Sequence, residues 1–93
     1  MTNKEIIQKL GLESMPVEVQ EQTLEQVTQI VELRVMGLIG EMMTKDQQEV
    51  FEERAKQGPE TVMQWLSSEF ADVAKIYIST LKDYLDEVTA RQN

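Results

Sequence analysis

The sequence predicts an all-α chain, a compact bundle of four to five helices with two long antiparallel helices as its spine. Three observations predict it. Apolar residues recur at steps of three and four over two long stretches. No run alternates with period two for long enough to form a strand. The 93 residues include only four glycines and two prolines, so few loops are needed.

The elements follow in order. Thr2 and Glu5 have capping-box spacing ahead of Ile6, Ile7 and Leu10. Gly11 reads as the stop, which gives a first helix over 3–10. In LESMPVE, Ser14 can cap a second helix, with Pro16 in its first turn, where a missing N–H costs nothing. From Val17 the stripe runs through Leu24, Val27, Val31, Val35, Leu38 and Met42, so one helix of about 42 Å is expected over 16–43. Thr44 and Gln47 repeat the capping-box pattern and open a third helix over 45–57. Gly58-Pro59 ends it. Its apolar residues are few (Val50, Phe51, Ala55), as suits a surface helix.

Pro59 opens a fourth helix with Val62, Met63, Trp65 and Leu66. The stripe continues through Phe70, Val73, Tyr77, Leu81, Tyr84 and Val88. Consecutive serines favour caps over helix interiors. A bend is therefore expected at Ser67-Ser68, dividing the stretch into helices over 60–67 and 69–90; a single helix over 60–90 is the alternative. The expected core is Leu24, Val27, Val31, Val35, Leu38, Met42, Phe51, Val62, Leu66, Phe70, Val73, Tyr77, Leu81 and Leu85.

Composition removes whole classes of function. There are 17 acidic against 9 basic residues and a formal charge of −8. Nucleic-acid phosphates and anionic lipids both require a basic footprint, so neither is an expected partner. Without cysteine there is no thiolate nucleophile or cysteine metal site. Without histidine the commonest general base and the usual zinc ligand are missing. The acidic clusters Glu49, Glu52, Glu53 and Asp83, Asp86, Glu87 lack calcium-loop spacing. Gly37 and Gly40 lie in a helix and form no phosphate cradle. No catalytic residue, metal ligand or cofactor is expected, and the chain reads as a non-enzyme.

MTNKEIIQKLGL is too short in its apolar run for a signal peptide. The most apolar segment, VELRVMGLIGEMM over 31–43, is interrupted by Glu32, Arg34 and Glu41, well short of the roughly 20 apolar residues of a membrane span. A cytoplasmic location is the default.

That same segment raises the functional question. On a helical wheel Val31, Val35, Leu38 and Met42 share one face, Ile39, Met36 and Met43 widen it, and Leu33 and Ile30 lie further round. This half of the helix needs cover over most of its circumference. Gly37 and Gly40 each cost roughly 1 kcal/mol of helix propensity against alanine. Close approach of another helix, from this chain or from a partner, is the expected reason to keep them. Met36, Gly37, Gly40, Met43, Met63 and Trp65 are the candidate partner contacts. The methionines supply adaptable apolar surface, and the tryptophan is the best hot-spot residue. Arg34 sits among apolar neighbours, so a buried ion pair is expected. Its candidate partners are Glu69, Asp72 and Asp83; a snorkel to water beside Glu41 is the alternative.

The run LGLESMP, a long helix containing ELRV, the capped TKDQQEVFEE, QGPETVMQWL and a final amphipathic helix resemble a family of short, acidic, uncharacterised bacterial proteins. That family is a domain of unknown function frequent in candidate-phylum bacteria. The resemblance covers about residues 10–88. It implies a helical bundle and transfers no site residues.

The expected function is a small non-enzymatic protein–protein interaction module, with the partner either a second copy or another protein. One alternative is an acidic adaptor or inhibitor on a basic protein surface. The other is a small-ligand binder that uses the inter-helical core and Arg34.

Overall fold

Five helices occupy residues 2–92, the span described by the computed structural model: α1 (Asn3–Lys9), α2 (Val17–Gly40), α3 (Lys45–Ala55), α4 (Pro59–Glu69) and α5 (Val73–Gln92). No strand occurs among the described residues. The α2–α5 pair is the most extensive helix contact and forms the expected spine. It runs antiparallel: Thr23 shares a pocket with Val88, and Gly37 shares a groove with Thr80. Helices α1 and α4 each pack on both spine helices, and α3 lies on α4. The radius of gyration is 14.9 Å and the extents are 47 × 23 × 20 Å, against about 12 Å for a rounder chain of this length. The long second helix sets that shape.

Local chemistry explains most boundaries. The Thr2 hydroxyl accepts from the Glu5 N–H at 3.2 Å. Gly11 follows the cap at Leu10 with φ +71°, the left-handed position that closes a helix. At Thr44 both halves of the capping box form. Gly58 has φ +117° and turns the chain directly into Pro59, the first residue of α4.

Three boundaries differ from expectation. Ser14 does not cap α2: the cap residue is Pro16, with no side-chain cap bond. The Gln20 amide instead reaches back, donating to the carbonyls of Leu12 at 2.9 Å and Met15 at 3.2 Å, and fastens the loop. Helix α2 ends at Gly40 rather than at 43. The chain then tightens, with Met42 N–H donating to Ile39 and Met43 N–H to Gly40, before the Thr44 cap redirects it. The break between the last two helices falls at Phe70, which is extended (φ −122°, ψ 118°), and not at Ser67-Ser68. Both serines stay inside α4 because their hydroxyls donate back along the helix, Ser67 to Met63 at 2.9 Å and Ser68 to Trp65 at 2.8 Å. Phe70 instead meets the Trp65 ring edge-on at 6.4 Å, and Phe51 of α3 packs on the same indole at 6.5 Å.

The core contains Val27, Val31, Val35, Val62, Leu66, Val73, Leu81 and Leu85, as expected. Leu24, Phe51, Phe70 and Tyr77 pack against it partly buried. Two expected members are outside it: Leu38 is 50% exposed and Met42 59%. Their places are taken by Met36, Ile39 and Met43, and α1 adds Ile6 and Leu10. The reason is geometric. Val27, Val31, Val35 and Ile39 are spaced by four, and each such step overshoots a helical turn by about 40°. The buried stripe therefore winds around α2. Its earlier part lies near Leu10, Tyr84 and Val88. Its later part turns toward α4, whose Glu60 acts electrostatically on Glu32. Leu38 and Met42 are left on the trailing side.

Candidate functional site

The winding stripe leaves one side of the later half of α2 open. Arg34, Gly37, Leu38 and Glu41 lie at i, i+3, i+4 and i+7, which places them as a diamond on one helix face. With Thr80 and Asp83 of α5 they line a groove of about 380 Å³. Leu33, 63% exposed, lies on one flank of this face and Met42, 59% exposed, on the other, half a turn apart. A Cβ placed on Gly37 or Gly40 would meet nothing within 4 Å. The expected close helix approach at these glycines is therefore not made within the chain.

Arg34 is fixed in this groove but not buried; its side chain is 42% exposed. Its partner is Glu87 rather than Glu69, Asp72 or Asp83. Nη1 donates to Oε2 at 2.9 Å and Nη2 to Oε1 at 3.3 Å, a two-pronged grip. The guanidinium carbon lies 5.0 Å from the centre of the Tyr84 ring, and Arg91 also donates to Glu87 at 2.8 Å. Hydrogen bonds from Arg34, aided by the charges of Arg34 and Arg91, hold the Glu87 carboxyl below its ordinary range. The same hydrogen bond raises the Arg34 pKa. On the far side of α2, burial and then the Glu60 charge push the Glu32 carboxyl up. Burial and then the Glu32 charge push the Tyr77 phenol up.

The other candidate contacts divide. Met36 and Met43 are in the core, which withdraws them from the surface of a single chain. Met63 and Trp65 are partly buried, Trp65 between the rings of Phe51 and Phe70. Gly37 is exposed and Gly40 half-buried. The structure brings Gly37 together with Leu38, which the stripe pattern directs inward. The signal that could have placed Leu38 outside is the phase drift of the four-residue spacing.

A second, smaller pocket of about 140 Å³ lies between α1, α2 and α5, beside Leu12, Gln26 and Tyr84. Among the described residues no group of three acidic side chains is placed to hold a metal ion, and no helix is long and apolar enough to cross a membrane.

A family model described as a protein of unknown function, DUF5663, matches residues 6–88. The chain belongs to this family. No curated protein and no solved structure matches it. The DUF5663 match covers all of the groove-lining residues as well as Arg34 and Glu87, so the surface just described lies on the family's own domain.

Proposed function

We propose that this DUF5663 chain is a non-enzymatic protein–protein interaction module whose contact surface is the open face of α2 between Leu33 and Met42. One observation carries the reading. The most apolar segment of the chain keeps Leu33, Leu38 and Met42 half or more exposed, beside a glycine with empty space over it. An isolated exposed leucine needs no explanation. A large apolar side chain lining an open concavity, with a further exposed apolar residue on either flank, fits a docking surface. The lack of histidine and cysteine supports the non-enzymatic part, and a cytoplasmic bacterial setting is consistent with the same reading.

The chemistry of the groove weighs against a small anionic ligand. Arg34 already holds Glu87, and Glu41 and Asp83 flank the remaining space. A free carboxylate or phosphate would compete with Glu87, Glu41 and Asp83 for one guanidinium.

The test is affinity capture from the native cell with two baits, the wild-type chain and the triple variant Leu33→Ser, Leu38→Ser, Met42→Ser. The expected result is a protein held by the first and lost by the second, with both baits equally helical by circular dichroism. Identical capture by the two baits would contradict the reading.

A further inference from the structure

We infer that the occupant of this groove is a second copy of the same chain, docked about a two-fold axis through the centre of the Arg34–Gly37–Leu38–Glu41 diamond. The inference rests on the reading of this face as a docking surface and names its partner.

An isologous contact must be complementary to itself. An antiparallel crossing of two α2 helices centred between Gly37 and Leu38 meets that condition in two ways. It brings Leu38 of each copy, 50% exposed, against Leu38 of the other beside the axis, and Gly37, over which a side chain finds no neighbour within 4 Å in the single chain, lets the two helices approach. It sets Arg34 of each copy opposite Glu41 of the other. Glu41 has no ion-pair partner among the described residues. Arg34 spends one edge of its fork on Glu87 and remains partly open to solvent, with further N–H donors to give.

Charge decides between a second copy and a basic partner. The chain as a whole carries −8, which would favour a basic partner almost anywhere else on its surface. The diamond itself carries one cation and one anion, placed symmetrically about its centre. A basic helix laid there would meet Arg34 head-on, whereas a second copy matches both charges.

Sedimentation equilibrium of the full chain at physiological salt, into the high micromolar range, reads the association. The expected mass rises from 10.7 kDa toward twice that value. Gly37→Leu adds bulk where the two helices approach and should weaken association by about tenfold or more. The decisive arm is a charge exchange. Glu41→Arg alone sets arginine against arginine, Arg34→Glu alone sets glutamate against glutamate, and each should sediment as a monomer. Mixed in equal amounts they match at both ends of the crossing and should form a mixed dimer. A wild-type mass of 10.7 kDa throughout, or a mixture that stays monomeric while both variants keep wild-type helicity, overturns the proposal. If the wild-type chain stays monomeric but a different protein is captured through Leu33, Leu38 and Met42, the second copy is refuted and the docking surface stands. If nothing depends on those three residues, both readings fail.

Discussion

Arg34 on α2 and Glu87 on α5 face each other across the antiparallel spine, joined by two hydrogen bonds of 2.9 and 3.3 Å, with the guanidinium over the Tyr84 ring. The pair fixes the register of the two longest helices at the edge of the groove. It also gives a pH signature. The folded-state pKa of Glu87 is depressed, so the stability the pair contributes is fully present above the unfolded value near 4.5 and is lost as pH falls through the lower folded value. Urea unfolding of wild type and Arg34→Gln should differ at neutral pH and converge in acid. In an NMR titration Glu87 should ionise below the ordinary carboxylate range, and its pKa should rise in Arg34→Gln, with Arg91 still paired to it.

Glu32 should behave in the opposite sense. Burial and the charge of Glu60 raise its folded pKa, so its ionisation opposes folding as pH rises through and above the ordinary carboxylate range. Glu32→Gln should stabilise the chain at neutral pH and have little effect in acid. A loss of stability at neutral pH would show that the Glu32 carboxylate makes a favourable contact.

The winding stripe predicts which leucines matter. Leu66 and Leu85 are fully buried, and truncating either to alanine should cost about 2–5 kcal/mol. Leu38→Ala should stay within about 0.5 kcal/mol, although the sequence pattern places it in the core. Urea unfolding at low micromolar concentration, where self-association is weak, checks the contrast.

Two glycines should respond oppositely to alanine. Gly37 is interior to α2 with open space above it, so Gly37→Ala should stabilise the lone chain by about 1 kcal/mol. Gly58, at φ +117°, occupies backbone that side chains rarely adopt. Gly58→Ala should cost about 1–3 kcal/mol. Thermal or urea unfolding reads both.

Much of this architecture is legible in the sequence. Capping chemistry at Thr2 and Thr44, the glycines at 11 and 58, and the two periodic stretches place the helices and pair the spine. The errors share a cause: the sequence constrains local geometry more tightly than the direction in which a helix meets its neighbours. The run of apolar residues between Ile30 and Met43 fits several phases. Contacts with α1, α4 and α5 select the drifting row that buries Met36 and Ile39 and leaves Leu38 and Met42 outside. For the same reason Arg34 is exposed despite its apolar neighbours in sequence: an apolar neighbourhood in sequence is not one in space when the helix face is open. Ser67 and Ser68 do not mark the bend because helix-internal hydroxyl bonds are as available to them as caps are.

The later half of α2 presents a face its own chain leaves uncovered, and a second copy of the chain is the proposed occupant of that face. A backbone NMR concentration series from low micromolar to millimolar tests it most directly. The account predicts progressive shifts confined to α2 around Leu33–Met42 and to Thr80 and Asp83 across the groove. Spectra that do not change with concentration, or changes centred on another surface such as α3, would contradict it.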